Sequence, residues 1–254
     1  IVMHKLLQQV GREAVKRQDH GMHKILINAD EICDVLENDS GTTSVRDIYF
    51  DISTISNDVY ISAGAFRKMC NLQFLSIYNT RDDTDTNVKV HVPEDMDFPP
   101  SLRLLRWEAY PGKCLPRTFM PEYLVSLVLR HSKLEKLWEG IQRLTNLKKM
   151  DLYWSLDLKE LPDLSNATNL ERLDLAGCKS LVELPSSIGE LHKLQMLRMD
   201  LCINLQVVGT LFNLASLQSV FMLRCRKLRK IPDFYRNITS LVISDTMLEE
   251  LPES

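Results

Sequence analysis

The sequence contains no long uninterrupted apolar segment. Charged residues break every apolar run within a few positions, which excludes a membrane-spanning helix and a signal peptide. The sequence also lacks an excess of either charge, since 31 basic and 34 acidic residues give a formal net charge of -3 at pH 7. It therefore has neither the basic footprint of a nucleic-acid-binding protein nor a polybasic membrane patch. We expect no nucleic-acid partner and no membrane partner.

Cysteine pairs and catalytic constellations are missing as well. None of the six cysteines has the CxxC-like spacing of a zinc or redox site. His20 and His23 lie close together in sequence, and we interpret them as part of a solvated segment rather than as metal ligands. No Ser/His/Asp, Cys/His or paired-carboxylate arrangement emerges. We predict no catalytic residue, no metal site and no enzyme activity in this chain.

A leucine frame recurs along most of the chain. Its clearest copy fits L-x-x-L-x-L-x-x-C through Leu170, Leu173, Leu175 and Cys178. From residue 102 onward, successive copies are 22, 23, 23, 24, 23 and 21 residues apart. These copies begin at Leu102, Leu124, Leu147, Leu170, Leu194, Leu217 and Ile238. A period this steady predicts a leucine-rich-repeat solenoid, in which no single repeat can bury its leucines alone.

The frame also predicts how each repeat folds. Apolar alternation is typical of a short strand with one side facing the core. Stacked repeats pair these strands in a parallel sheet on the concave face. Proline often follows the second apolar pair, as in Leu184-Pro185, where it ends pairing and begins the outer side. The predicted fold is an α/β horseshoe of about eight or nine repeats, preceded by a short helical segment.

Three cysteines occupy one position of the frame. Cys178, Cys202 and Cys225 are 24 and 23 residues apart, which predicts a structural ladder of small buried side chains whose thiols are weak donors. Unpaired thiols indicate a reducing compartment. Most residues at this position in other repeats can also donate, although Tyr110 is a poor fit. They are Thr80, Tyr110, Ser132, Ser155 and Thr246.

The chain before the regular frame divides into two parts. Residues 1–17 carry apolar residues at helical spacing and do not belong to the repeats. Residues 18–44 are polar, with a short helix predicted over residues 30–36 and a turn at the end. We assign them to a linker, and residues 45–254 to the repeat domain. No polar cap closes the last repeat, so we expect a fragment of a longer protein.

Two segments inside the repeats depart from a plain frame. Residues 61–69 have helical spacing, and we expect a helix there on the outer side. The step from Leu72 to Leu102 is 30 residues long. Residues 80–100 account for the extra length, and we predict that they form an exposed insertion loop.

Several segments are more specific than the leucine frame. Leu134-Glu-Lys-Leu-Trp-Glu-Gly140 and Leu158-Lys-Glu-Leu-Pro-Asp-Leu-Ser165 stand inside repeats, while residues 3–13 and 31–36 precede them. Together they resemble the plant intracellular immune receptors that join a TIR domain, an NB-ARC nucleotide switch and a leucine-rich-repeat domain. In this resemblance, residues 1–17 correspond to the C-terminal helix of the NB-ARC winged-helix module, and residues 18–44 correspond to the linker.

The resemblance has implications for nucleotide binding. It implies that His4 is the histidine that senses bound ADP, although Lys5 stands where the Met-His-Asp motif has aspartate. The chain has no G-x-x-x-x-G-K-[ST] loop to hold phosphates, so we expect it to bind no cofactor by itself. ADP or ATP binding and the NAD-cleaving TIR domain belong to other parts of the full-length family. The family also implies a cytoplasmic location, with the nucleus as a second compartment.

Binding is expected on the concave face, where the variable strand positions project. Arg, Tyr and Trp dominate binding hot spots because they combine large contact area with fixed polar geometry. We favour a recognition patch made of Arg130, His131, Tyr153 and Trp154. The complete predicted partner-binding set is Tyr78, Arg106, Arg130, His131, Tyr153, Trp154, Arg172, Arg198, Phe221 and Arg224.

The same face allows a plainer interpretation. Basic and acidic residues alternate in Lys149/Asp151, Arg172/Asp174 and Arg198/Asp200, and such rows can simply be cross-strand charge pairs that keep the face soluble. Both interpretations of the charged rows stay open at this point.

The resemblance predicts that the region senses a pathogen effector protein, or restrains its own NB-ARC domain until such a protein competes. Either role needs a ligand whose affinity differs between two states of the receptor. One alternative is an intracellular repeat scaffold without an immune role. Another is an extracellular repeat ectodomain, which three N-x-[ST] sequons at Asn38, Asn166 and Asn237 would suit.

Overall fold

The computed structural model describes residues 23–80, 89–208, 211, 213–230 and 237–248. Ten strands form one sheet in which spatial order follows chain order and every pairing is parallel. A separate parallel pair joins β3 (Val59–Tyr60) to β5 (Val90–His91). The strands of the large sheet are β1 (Lys24–Leu26), β2 (Val45–Asp51), β4 (Phe74–Tyr78), β6 (Leu104–Trp107), β7 (Ser126–Val128), β8 (Lys149–Asp151), β9 (Arg172–Asp174), β10 (Met196–Arg198), β11 (Ser219–Leu223) and β12 (Ser240–Ser244).

The register of the sheet follows the leucine frame. Leu127 pairs with Met150, Met150 with Leu173 and Leu173 with Leu197, so equivalent positions of successive repeats lie side by side. All four side chains are fully buried. They belong to one continuous core that extends through the stack of repeats. The predicted α/β leucine-rich-repeat solenoid with a parallel concave sheet is confirmed.

The sheet begins before the predicted first strand. The first strand, β1, pairs in parallel with β2, and α1 (Ala29–Glu37) follows it. The helix starts after Asn28, whose side chain accepts the Glu31 N–H over 3.0 Å as an N-cap. Leu26, Ile32 and Leu36 are fully buried in the common core. The helix prediction over residues 30–36 is confirmed. The described part of the segment assigned to the linker belongs to the solenoid.

The predicted helix over residues 61–69 is wrong. Three hydrogen bonds from residue i to residue i-3 form there, at Ala65, Arg67 and Met69, and they close a series of tight turns. The apolar spacing has a structural cause, because Phe66 and Met69 are buried. Tight turns place these side chains in the core over a short path, so the same pattern does not require a helix.

The insertion predicted over residues 80–100 is not wholly an exposed loop. It contains β5, which pairs with β3, and it buries Met96 and Phe98 in the core. Apolar side chains on its far end therefore anchor it. The predicted helix over residues 1–17, including His4 and Lys5, lies outside the described residues.

The cysteine position forms a ladder inside the turn that follows each strand. Cys178 Sγ donates to Leu152 O over 3.3 Å, and Cys202 Sγ donates to Leu175 O over 3.1 Å. Cys225 repeats this contact with Met199 O over 3.1 Å. Burial raises the pKa of the Cys178 and Cys225 thiols to about 12, so these thiols stay protonated donors at neutral pH. The arrangement is the one that the frame predicts.

Other residues at the ladder position behave differently from one another. Ser155 Oγ donates to Leu129 O over 2.9 Å, and the Ser132 hydroxyl lies 2.8 Å from that of Ser155. Tyr110 is too large for the turn and instead packs edge-on against Trp107, with the ring centroids 5.1 Å apart. Burial raises the pKa of the Tyr110 phenol.

Candidate functional site

One position in each repeat from residue 102 onward has a left-handed backbone, directly after the strand and its last outward residue. The φ angles of these non-glycine residues lie between 54° and 61°, and Gly177 has 79°. Only glycine adopts this region without steric cost, so a repeated turn geometry must hold the others there. The non-glycine members are Ala109, His131, Trp154, Leu201, Arg224 and Asp245.

This geometry relocates the predicted recognition patch. Arg130 and His131 follow the end of β7, and Tyr153 and Trp154 follow the end of β8. The four residues therefore lie beside each other at the carboxyl edge of the concave sheet, not on the strands themselves. We call this set the aromatic rim.

The rings of the aromatic rim contact one another. His131 and Tyr153 have centroids 5.6 Å apart with their planes at 82°, and Tyr153 and Trp154 are also 5.6 Å apart. Arg130 Cζ lies 5.8 Å from the centroid of the Tyr153 ring, and Lys179 Nζ lies 5.3 Å from that of the Trp154 ring. Such cation–π contacts orient the rings and leave charged groups at the surface. The structure thus brings together all four predicted residues.

Gly177 supports the rim, and sequence reasoning missed it. A Cβ built at Gly177 would lie 2.3 Å from Trp154 Cε3, which is far inside van der Waals contact. The indole therefore lies over the bare backbone of the next repeat. The signal was available in the sequence, because glycine stands at the position where neighbouring repeats carry His131, Trp154 and Leu201.

A buried carboxylate holds the rim from below. Asp151 Oδ2 lies 2.7 Å from Arg130 Nη2 and 3.2 Å from Lys149 Nζ, and its side chain is only 2% exposed. Burial opposes ionisation of this carboxyl, but the hydrogen bond and charge of Arg130, helped by Lys149, outweigh it and lower the pKa below its usual range. The ion pair fixes the guanidinium that faces Tyr153.

The neighbouring carboxyl has the opposite pKa shift. Asp174 pairs in register with Asp151 on the adjacent strand. Burial first, and the charge of Asp151 to a lesser degree, raise the pKa of Asp174, although the carboxyl also accepts the Ala176 N–H over 3.0 Å. Arg198 lies 2.8 Å from Asp200 and only 3.8 Å from Asp174. Asp174 is therefore the weakly compensated acid of this face.

Both interpretations of the charged rows find a place in the structure. Arg198 and Lys149 form ion pairs, as the solubility interpretation requires, although the shortest contacts run along one strand rather than across strands. Arg172 is exposed and forms no ion pair with the residues that the structure describes. This guanidinium is available for a partner.

The other predicted binding residues lie away from the aromatic rim. Arg106 stacks on Tyr78 at 5.0 Å, beside a shallow depression of about 370 Å³ near the start of the sheet. Phe221 is half-buried on β11, and Arg224 lies 3.9 Å from Asp245. The ten predicted residues thus form at least two separate groups along the sheet.

Among the described residues, no group of three or more His, Cys, Asp or Glu side chains is arranged to hold a metal ion. Within the same ranges, no helix has the length and apolar character needed to cross a membrane. The described cysteines are all free thiols.

The fold and the repeated turn geometry define a leucine-rich-repeat protein. The family model "Leucine Rich Repeat" matches residues 123–142, which cover the turn and strand leading to the aromatic rim. Solved structures agree. The chain superposes on the leucine-rich-repeat domain of the type III effector XopL with a TM-score of 0.52, covering 86% of this chain and 83% of that one at 19% identity. A leucine-rich-repeat protein of Leptospira interrogans gives 0.50, with 91% and 67% covered at 16% identity. These likenesses concern the fold alone.

Sequence comparison is more specific. The chain is 54% identical over its whole length to the disease resistance protein RML1A of Arabidopsis thaliana, and 46% identical over 96% of its length to the disease resistance protein RPS6 of the same plant. It belongs to the plant disease-resistance proteins of the TIR-NB-ARC-LRR type, as the sequence resemblance indicated. The chain spans about a quarter of the length of these relatives, 25% for RML1A and 22% for RPS6.

Proposed function

We propose that this chain is the protein-recognition region of a plant intracellular immune receptor, and that the aromatic rim is its contact surface. The rim, in which two cations and three aromatic or imidazole rings meet at one edge of the sheet, is the observation that supports the proposal. Arg, Tyr and Trp are the residue types that dominate binding hot spots. We assign no catalytic step and no cofactor to this region.

Two partners fit the rim. One is a pathogen effector protein, and the other is the NB-ARC domain of the same receptor, held inactive until the effector competes. A single surface can serve both, provided that its affinity for the NB-ARC domain differs between the resting and active states. Such a receptor would act in the cytoplasm, with the nucleus as a second compartment.

The test uses the full-length receptor expressed in leaf tissue, with the NB-ARC domain also expressed as a separate tagged chain. We compare the wild type with Tyr153→Ala/Trp154→Ala. Tyr123→Ala is the control, because this ring is 54% exposed and is not part of the rim. Co-precipitation and effector-independent cell death are measured.

If the rim restrains the switch, the double variant releases the NB-ARC domain and triggers cell death without an effector. If the rim binds only the effector, co-precipitation is unchanged and the effector-induced response is lost. If the variant and the control behave alike in both assays, the rim has no recognition role and the proposal fails.

A further inference from the structure

A second ladder of backbone contacts runs along the outer side of the solenoid. It starts with the pairing of β3 and β5, and it resumes where the Leu115 N–H donates to Leu137 O over 2.9 Å. Among described residues, no backbone hydrogen bond joins residues 90–93 to residues 111–117, although these segments belong to neighbouring repeats. Later contacts include parallel bridges among Glu183, Val207 and Lys230. The ladder is therefore interrupted once in its described course.

A cleft of about 900 Å³ occupies the interruption. Val92 and Pro93 line one wall, and residues 113–117 line the other. The buried side chains of Leu115 and Trp138 also line the cleft, which gives it an apolar interior. The volume is in the range of ordinary ligand sites in proteins.

The walls of the cleft present unpaired backbone groups. The His91 carbonyl accepts the Ile61 N–H over 2.9 Å on the side of β3, so by strand alternation the backbone groups of Val92 point the other way, towards the cleft. The Leu115 N–H faces Leu137, so the Cys114 N–H points towards the cleft from the opposite wall. Within the described residues, neither the Val92 N–H nor the Cys114 N–H has an acceptor.

The side chains at the cleft add charge and a free donor. Arg117 is 93% exposed and lies 3.4 Å from Glu139, which Lys136 already binds at 2.7 Å. The guanidinium is thus loosely held and can bind a carboxylate from outside. Trp138 is only 6% exposed, and its indole N–H has no partner among the described residues. An acceptor brought by an occupant would remove that unsatisfied donor.

We propose that this cleft binds an extended peptide segment of a partner protein, which adds a strand between residues 90–93 and 113–116. Strand addition supplies main-chain hydrogen bonds to both walls, and alternate side chains of the peptide give specificity. One face of the peptide meets the apolar interior at Leu115, and the other presents acidic residues to Arg117. The ligand is therefore a segment with alternating apolar and acidic residues, and its site is independent of the aromatic rim.

The experiment selects a displayed library of seven-residue peptides with alternating apolar and acidic positions on the whole chain. Binders are synthesised, and their dissociation constants are measured by fluorescence polarisation. Arg117→Glu should weaken binding about tenfold or more, because it replaces attraction by repulsion at the edge of the cleft. Arg143→Glu is the matched control, since Arg143 is 81% exposed, lies 3.4 Å from Glu122 and does not line the cleft.

A second readout uses the protein's own cysteines. Cys114 lines the cleft and is half-buried, whereas Cys70 is exposed and lies outside it. Bound peptide should slow alkylation of Cys114 and leave Cys70 unchanged, and N-methylation of alternate peptide amides should abolish both binding and protection. Tyr153→Ala/Trp154→Ala should bind the peptide normally. The proposal is overturned if the library yields no binder, or if binders tolerate Arg117→Glu and leave Cys114 unprotected.

Discussion

The two halves of the solenoid fill the same interior in different ways. Up to residue 138 the core is rich in rings, and Phe98 contacts three of them, with centroid distances of 6.3 Å to Phe66, 6.5 Å to Trp107 and 5.2 Å to Phe119. From residue 147 onward, the buried core of the described ranges consists of aliphatic side chains, methionine and the thiol ladder, with no aromatic residue.

Repeat length explains the difference. The early repeats are uneven, with a 30-residue step from Leu72 to Leu102, a helix and a second sheet. Their outer side is irregular, and large rings fill the spaces that unequal segments leave. The later repeats differ by only a residue or two in length, so identical small side chains can stack in register. Even spacing permits a ladder, and uneven spacing requires shape-specific packing.

The largest effect is expected from Phe98→Ala. Removing a ring that contacts three others leaves a cavity, and the free energy of unfolding should fall by about 3–5 kcal/mol. Because solenoid repeats are coupled mainly to their neighbours, amide hydrogen exchange should rise first around β3 to β6. Denaturant unfolding and exchange mass spectrometry measure the two effects. Equal acceleration of exchange in β9 to β11 would contradict the distinction between the halves.

Gly177→Ala should have the next largest effect. The methyl group would meet the Trp154 ring and would also strain a left-handed backbone, so we expect a loss of about 2–3 kcal/mol and displacement of the indole. Gly140→Ala is the control, because Gly140 has a φ of 75° and no heavy atom lies within 4 Å of the place that its methyl group would take. It should lose only about 1 kcal/mol. Thermal unfolding and Trp fluorescence compare the two variants, and equal losses would exclude the Trp154 contact as the cause.

The two adjacent carboxyls should respond oppositely to substitution. Asp151 has a lowered pKa, so its contribution is present above the ordinary value of 3.8 and is lost as pH falls through the folded-state value. Asp151→Asn should therefore cost about 2 kcal/mol at pH 7, partly because it leaves Arg130 unpaired.

Asp174 has a raised pKa, so it favours folding at low pH and that contribution is lost as pH rises through the raised value. Asp174→Asn keeps an acceptor for the Ala176 N–H and should be neutral or slightly stabilising at pH 7. Thermal midpoints of both variants between pH 3 and pH 7 test this contrast, which fails if the two curves shift together.

The smallest effect is expected in the ladder. Cys202→Ser keeps a donor for Leu175 O and changes little volume, so the loss should stay within about 1 kcal/mol. Cys202→Ala removes the donor and should cost more than the serine variant. Denaturant midpoints rank the two, and a serine variant that is less stable than the alanine variant would show that the hydrogen bond is unimportant.

The sequence predicted the regular half of the fold well, because one period determines strand position, inward face and register together. Leu173, Leu175 and Cys178 each have one role in that period, and the structure gives each of them that role. It predicted the early part less well. The tight turns around Phe66 and the strand β1 depend on packing against neighbouring repeats, and no local pattern distinguishes them from a helix or a linker.

The residues of the aromatic rim were found from residue type and position, but their support was not. The role of Gly177 depends on a ring 23 residues earlier in the chain, and the outer cleft depends on hydrogen bonds that are missing between two repeats. Both are relations between segments, which a single sequence does not encode in any local pattern.

The row of left-handed residues after the strands also bears on how such a receptor can change. His131, Trp154, Leu201 and Arg224 share one backbone conformation while differing in size, charge and chemistry. Their turn is held by the ladder and by the leucines beneath it, and not by the side chain itself. Each repeat therefore offers one site where a new residue can be tried without rebuilding the interior. Variation at these sites can generate new recognition specificities while the scaffold is inherited unchanged.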